Sequence, residues 1–78
     1  MCIAIPALVK SVRGYEAVAE IGGRERQINV FFTPEVKVGN YVLLESGYSM
    51  EVISEAEAFD IFKFLEQVSE AGDEEHEI

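Results

Sequence analysis

Hydrophobic and polar residues alternate in short runs through the first two thirds of the chain, and turn residues separate these runs. Short alternating runs are typical of β-strands. They predict five strands, at residues 3–12, 17–21, 24–32, 41–44 and 48–53. The alternation in the third strand predicts that Ile28, Val30 and Phe32 share one face. Gly22 and Gly23 favour the positive φ angles of a tight turn between the second and third strands.

Pro6 interrupts the first predicted strand. Because proline has no backbone N–H for a neighbouring strand, it suits a sheet edge or a bulge. Five short strands are too few for a two-sheet sandwich, and closure into a barrel removes exposed strand edges. The pattern therefore predicts a mainly β chain with a small closed barrel at about residues 1–53.

After residue 53 the pattern changes to that of a helix. Ser54 lies three residues before Glu57, a spacing at which each side chain can accept a hydrogen bond from the other residue's backbone at a helix start. We predict a helix at about residues 55–70, with Phe59 apart from its apolar stripe. Gly72 is expected to end the helix, so that residues 1–72 form a single domain and residues 73–78 a disordered acidic tail. The residues predicted to form the stripe that packs on the barrel are Ala58, Ile61, Phe62, Phe64, Leu65 and Val68. Phe59 and Phe64 are expected to pack against the barrel and the N-terminal strand, and the alternative is that they form a surface for a partner.

Charge is distributed unevenly along the 78 residues. The chain has 15 Asp and Glu against 6 Lys and Arg, a formal net charge of -9. Residues 1–50 are balanced, whereas residues 51–78 contain ten acidic residues and only Lys63. Nucleic acids and anionic membranes are bound through clustered Lys and Arg, so both are disfavoured as partners. The aromatic residues that are able to stack on bases are instead expected to pack in the core or at its rim: Phe31, Phe32, Tyr41 and Tyr48.

The inventory of reactive residues is short. Cys2 is the only cysteine and His76 the only histidine, which excludes an internal disulfide and a self-contained Cys/His metal site. Because the chain also lacks a Gly-rich phosphate loop, an enzyme acting alone is not expected. No apolar run reaches the roughly 18 residues of a membrane helix, so we expect a cytoplasmic protein in which Cys2 is reduced.

Cys2 is the most informative of these residues. Removal of Met1 would leave a cysteine whose thiol lies next to the free α-ammonium group, and this positive charge favours the thiolate. A thiolate at a chain end is an accessible, soft metal ligand. As a single ligand, it can hold a metal only together with ligands from a partner. The alternative is that Cys2 is a small hydrophobic residue of the first strand.

The opening Met1-Cys2-Ile3-Ala4-Ile5-Pro6 resembles the start of the HypC/HupF family of [NiFe]-hydrogenase maturation chaperones, which is Met-Cys-(Leu/Ile)-(Ala/Gly)-(Ile/Val)-Pro. The similarity covers residues 1 to about 68. It includes the Gly-Gly turn at residues 22–23, Val-Lys-Val-Gly-Asn-Tyr-Val-Leu at residues 36–43, Gly-Tyr-Ser-Met at residues 47–50 and Ser-Glu-Ala-Glu-Ala at residues 54–58.

The resemblance implies a small chaperone with an OB-like β-barrel and a C-terminal helix. Family members bind the iron-sulfur scaffold protein HypD, help to assemble or carry an Fe(CN)2CO unit, and associate with the immature hydrogenase large subunit. Contact with HypE through the HypC-HypD complex is also implied. By this resemblance Cys2 is a transient iron ligand shared with a partner, and no cofactor is permanently bound. The implied partner-binding residues are Cys2, Ile3, Pro6, Glu45, Gly47 and Tyr48.

One position departs from the family pattern. Many members have a histidine before the Gly-aromatic turn, in Val-His-x-Gly-Phe-Ala, whereas this chain has Glu45 at that position. The role of the histidine is therefore not transferred. A carboxylate there can accept a hydrogen bond, contact iron, or simply lie exposed at a strand end. Two functions remain open: an assembly chaperone that uses Cys2, and a non-catalytic protein-interaction module in which Cys2 is inert.

Overall fold

The computed structural model describes residues 4–77, with side chains for residues 4–66. Five strands are followed by one helix, α1 (Glu55–Glu77). The strands are β1 (Ile5–Arg13), β2 (Glu16–Ile21), β3 (Arg24–Asn29), β4 (Tyr41–Glu45) and β5 (Tyr48–Ile53). They form a closed barrel in the order β1-β2-β3-β5-β4, and β4 pairs with β1 to complete it. The predicted fold, a five-stranded barrel followed by a C-terminal helix, is confirmed.

The long strand β1 closes the barrel by pairing with two neighbours. Its first half, from Ile5 to Leu8, pairs with β4, and the part from Leu8 to Arg13 pairs with β2. The register shifts between Val9 and Ser11, and such a bulge increases the local twist of a strand. Pro6 lies before the pairing with β2 begins, so in that part β1 has a neighbour only on the β4 side.

The interior of the barrel is filled mainly by small and β-branched side chains. A barrel of only five strands has a narrow interior, since barrel diameter grows with strand number. Ala17 and Ala19 of β2 are buried and alternate with the less buried Val18, as expected for a strand with one face inward. The buried core cluster consists of Ala7, Val9, Ala17, Ala19, Ile28, Val30, Val36, Val42 and Leu44.

Strand β3 ends three residues earlier than predicted. The side chain of Asn29 accepts a hydrogen bond from the backbone N–H of Phe31 at 2.7 Å, and the N–H of Thr33 donates to the carbonyl of Val30 at 3.0 Å. These local turn interactions replace the strand ladder. Ile28 and Val30 are buried, whereas Phe32 is 55% exposed, so the prediction that Phe32 shares one face with them is wrong.

The predicted start of α1 is confirmed. The Ser54 N–H donates to Oε1 of Glu57 at 3.0 Å, and the Glu57 N–H donates to Oγ of Ser54 at 3.1 Å. The helix contacts β1 and β4. Ala58 is buried, and the residues at positions 61, 62 and 65 are half-buried.

Phe64 does not belong to this packed side of α1. It lies about 120° around the helix from Ala58, since each residue advances about 100°. The barrel covers only one side of the helix, and Phe64 is accordingly 60% exposed, so its predicted packing on the barrel is wrong. Phe59, predicted to lie apart from the stripe, is 62% exposed, so its expected packing against the barrel is wrong as well. The side chain of Val68 lies outside the described residues.

Helix α1 continues through Gly72 to Glu77, whereas the sequence predicts its end at Gly72. A glycine inside a helix costs only about 1 kcal/mol relative to alanine, so a single glycine with no proline after it is a weak stop signal. The domain limit at residue 72 stays a prediction. Over the part of the chain that the structure describes, no helix combines the length and the apolar character needed to cross a membrane.

Candidate partner-binding groove

Two segments that are distant in sequence meet at one end of the barrel. Strand β1 begins at Ile5, which pairs with Leu44 of β4. Glu45 ends β4 and pairs with Tyr48, the first residue of β5. The N-terminal strand therefore starts beside the β4–β5 turn.

The β4–β5 turn has only two residues between the paired strands. Ser46 has φ 55° and Gly47 has φ 84°, the two positive angles of a type I′ hairpin turn. The carbonyl of Gly47 accepts a hydrogen bond from the backbone N–H of Asn29 at 2.9 Å. This bond ties the turn to the end of β3, where β3 and β5 run parallel at Asn29 and Tyr48.

A buried side-chain hydrogen bond supports the same end of β5. The hydroxyl groups of Thr33 and Ser49 lie 2.8 Å apart, and either can be the donor. Both residues are buried, at 2% and 0% exposure. The bond connects the loop between β3 and β4 to the second residue of β5.

An open groove of about 570 Å³ lies between the start of β1, the β4–β5 turn and the neighbouring part of β2 and β3. Ile28 and Leu44 are buried in its wall, whereas Arg26 and Glu45 are exposed. Arg26 and Glu45 form no ion pair within 4.0 Å, as far as the described side chains go. The lining residues are Ile5, Ile21, Arg26, Gln27, Ile28, Leu44, Glu45, Ser46 and Gly47.

The structure brings together some of the predicted site residues. Glu45 and Gly47 line the groove. Tyr48 follows them and is 43% exposed, but it does not line the groove. Pro6 is buried in β1, so any effect of Pro6 on binding acts through the path of the strand and not through direct contact.

Cys2 and Ile3 lie outside the described residues. Ile5, which follows Cys2 by three residues in the sequence, lines the groove. Within the described residues, no group of three or more His, Cys, Asp or Glu side chains is placed to hold a metal ion.

The sequence did not identify Arg26, Gln27 or Ser46 as groove residues. Arg26 and Gln27 lie in the polar strand β3, in which every residue before Ile28 is exposed. The sequence pattern therefore does not indicate which of these polar residues lie near the N-terminal strand. Arg26 and Gln27 line the groove together with Ile5 and Ile21 in the closed barrel, although β3 pairs with β2 and β5 and not with β1. Ser46 could have been identified from its position, because it directly follows Glu45 in the two-residue turn.

Four exposed aromatic side chains form a continuous stripe next to the β4–β5 turn. Ring centroids are 5.2 Å apart between Tyr15 and Phe31, 5.5 Å between Phe31 and Phe32, and 5.6 Å between Phe32 and Tyr48. Each of the four is between 43% and 59% exposed, so they pack on one another outside the core. Tyr41, by contrast, is half-buried.

Comparison with known proteins gives a consistent result. Residues 1–65 match the model of the HupF/HypC family. The chain is 36% identical over 76 residues to Hydrogenase maturation factor HypC of Azotobacter chroococcum mcd 1, covering 96% of this chain and 90% of the relative. It is 34% identical over 77 residues to the HypC of Helicobacter hepaticus, covering 96% and 90%. With the HypC of Escherichia coli K12 it shares 30% identity over 74 residues, covering 87% and 82%.

Proposed function

The chain belongs to the HupF/HypC family, and we propose that it is a [NiFe]-hydrogenase maturation chaperone and not an enzyme. In this proposal it binds the scaffold protein HypD, helps to assemble or carry the Fe(CN)2CO unit, and delivers the unit to the immature hydrogenase large subunit. HypE is met through the complex with HypD. Action in the cytoplasm, expected from the sequence, remains a prediction.

The proposal rests above all on the pairing of Ile5 with Leu44. Because of this register, Ile5 of the Met-Cys-x-x-x-Pro segment lies at the same end of the barrel as the Glu45–Tyr48 turn. Some forty residues separate Ile5 from this turn in the sequence. Both segments contribute to one groove. A surface that combines buried apolar side chains with exposed charged ones is suited to a protein partner.

Cys2 provides the proposed metal ligand. The thiol loses its proton to solvent, and the thiolate then donates an electron pair to the iron of the cargo. A thiolate is a ligand type that is suited to iron. A second protein ligand comes from the scaffold, because the groove residues that we describe offer no further soft donor. Transfer requires that ligands of the client replace first the scaffold ligand and then the Cys2 thiolate, which takes up a proton again from solvent, with no change in the oxidation state of the iron.

The alternative is a protein-interaction module in which Cys2 is inert. The half-exposed aromatic stripe of Tyr15, Phe31, Phe32 and Tyr48 favours this alternative, because it offers apolar contact area without any role for a thiolate. The two functions differ in one measurable respect: the module needs Cys2 for neither binding nor iron.

The decisive experiment is anaerobic co-purification with the scaffold protein, followed by iron analysis and infrared spectroscopy of the cyanide and carbonyl bands. Wild type is compared with Cys2→Ala and Cys2→Ser, which both remove the soft ligand, the serine variant with little change in side-chain size. We expect the wild-type complex to carry the bands and both variants to lose them. If Cys2→Ala carries the bands and matures the client normally, the thiolate role is wrong and the module is favoured.

The groove is tested separately by charge reversal. Glu45→Arg changes a groove residue, and Glu51→Arg makes the same change at an exposed glutamate of β5 outside the groove. We expect Glu45→Arg to weaken scaffold binding by about tenfold or more, as for a charge within an interface. Glu51→Arg should change it by less than about twofold, as for a charge remote from the contact. Equal effects of the two variants would show that net charge, and not the groove, governs binding.

A further inference from the structure

Helix α1 presents one side on which two acidic residues bracket two phenylalanines. Glu55, Phe59, Phe62 and Glu66 follow one another at spacings of four, three and four residues. At about 100° per residue these four positions fall within about 60° of one another around the helix. Phe59 is 62% exposed, Phe62 is half-buried, and both glutamates are exposed.

Glu55, Phe59 and Phe62 form a groove together with Ala56 and the start of β4. It has a volume of about 310 Å³ and is lined by Tyr41, Glu55, Ala56, Phe59 and Phe62. Three of the five lining residues are aromatic, and Glu55 is the only charged one. We name it the α1 groove.

The α1 groove lies away from the groove beside the N-terminal strand. Tyr41 is the first residue of β4, whereas Leu44 and Glu45 at the other end of that strand line the N-terminal groove. Four residue steps along a strand correspond to about 13 Å. The two grooves can therefore be altered independently.

Charge indicates what kind of molecule the α1 groove accepts. Over residues 55–66 the helix has four acidic residues against Lys63. The Nζ atom of Lys63 lies 5.8 Å from the centroid of the Phe59 ring, which shows that the exposed ring face accepts a cation. Nucleic acids and anionic membranes carry the wrong charge for this surface. A second copy would bring Glu55 and Glu66 against carboxylates of the same kind, at a cost in repulsion.

We propose that the α1 groove binds a basic amphipathic helix of a partner protein. An apolar side chain of that helix inserts between Tyr41, Phe59 and Phe62, and Lys or Arg residues on either side of it pair with Glu55 and Glu66. This is the helix-in-groove mode of recognition, in which apolar anchors repeat at helical spacing. The binding requires neither Cys2 nor the maturation function, so it can be tested on the isolated full chain.

The test uses three synthetic peptides of about 20 residues with a fluorescent label, long enough to form a helix. The first has leucines at helical spacing flanked by lysines, the second has glutamates in place of the lysines, and the third has the composition of the first with the leucine spacing scrambled. Binding is measured by fluorescence anisotropy at about 0.05 and about 0.3 M salt, which separates screened charge contacts from apolar ones. We expect only the first peptide to bind tightly, and more weakly at the higher salt.

Matched variants locate the binding. Phe59→Ala should weaken binding of the first peptide by about tenfold or more, as for an anchor residue. Phe64→Ala, which truncates an equally exposed phenylalanine on another side of the helix, should change it by less than about twofold, as for a residue outside the contact. Glu55→Gln combined with Glu66→Gln should reduce the salt dependence, whereas Asp60→Asn should not. Cys2→Ala should bind the peptide as the wild type does, which separates this proposal from the proposed function.

Several outcomes would overturn the proposal. These are equal losses from Phe59→Ala and Phe64→Ala, equal binding of the scrambled or glutamate peptide, and a dimer in analytical ultracentrifugation that Phe59→Ala dissociates. The last would identify a second copy as the occupant. Because Phe59 is exposed, its truncation should leave the far-ultraviolet circular dichroism unchanged, and Phe59→Leu should retain part of the affinity.

Discussion

The buried hydrogen bond between Thr33 and Ser49 tests how the partner-binding end of the barrel is held in place. The two hydroxyl oxygens are 2.8 Å apart, and each is the partner of the other inside the protein. Thr33→Val or Ser49→Ala removes one hydroxyl and leaves the other buried without a partner. Removing both in the double variant leaves no unsatisfied group.

The expected magnitudes follow from this difference. An unsatisfied buried hydroxyl costs about 1–3 kcal/mol, so each single variant should lose that much free energy of unfolding. The double variant should lose no more than either single variant, which gives a coupling of at least about 1–3 kcal/mol. A chain of 78 residues has a total stability of about 4–12 kcal/mol, so these losses are readily measurable.

The assay is urea denaturation followed by circular dichroism near neutral pH, supported by melting temperatures. For a domain of this size 1 kcal/mol corresponds to about 4–8 °C. Ser11→Ala, at an exposed position of β1, is the control and should stay within about 0.5 kcal/mol of wild type. If the losses of the two single variants simply add in the double variant, the hydroxyl groups do not satisfy each other and the reasoning fails.

Three further predictions concern the helix cap, the β4–β5 turn and the C-terminal segment. Ser54→Ala should destabilise the protein by about 1 kcal/mol, because it removes the cap. The backbone N–H of Ser54, and then its side chain, lower the pKa of Glu57 from its ordinary value of 4.5. The contribution of ionised Glu57 to stability is therefore complete above pH 4.5 and is lost as the pH falls through its lower pKa in the folded protein. Glu57→Gln should remove this pH dependence in acid titrations of helix content. Gly47→Ala should lower the free energy of unfolding by about 1–2 kcal/mol in denaturation, because φ is positive at this position. Ser46→Asn should instead stabilise the protein by about a few tenths of a kcal/mol. A loss of stability in Ser46→Asn would contradict the turn assignment. Truncation after Gly72 removes four of the negative charges, and stopped-flow association with a basic partner should become slower at low salt and unchanged at high salt; an unaltered rate at low salt would show that the segment gives no steering.

Local features of the chain could be predicted because neighbouring residues determine them. The cap of Ser54 and Glu57 needs only a spacing of three residues, and the Gly22-Gly23 turn needs only two residues that tolerate positive φ angles. The five strands also follow from local alternation. The resemblance of the opening segment to the family likewise depends on a few consecutive residues, and the family match over residues 1–65 agrees with it.

The predictions for Phe32 and Phe64 failed for different physical reasons. Phe32 continues an alternating pattern, yet the Asn29 turn takes it out of the sheet and leaves it exposed. Phe64 fits a broad apolar stripe, yet the narrow barrel covers only the side of α1 that carries Ala58. The alternation does not indicate where a turn ends the strand, and the stripe does not indicate how much of the helix the barrel covers.

By itself, the sequence determined the strands, the turns, the helix start and the family, because these depend on the conformational preferences of adjacent residues and on a short motif. Only the tertiary structure decided which residues share a surface. Pairing of Ile5 with Leu44 joins the N-terminal strand to the Glu45 turn and brings Arg26 into the same groove, and docking of α1 beside Tyr41 forms the second groove. The physical reason is that closing a barrel sets the register between strands far apart in sequence, and no local pattern specifies that register.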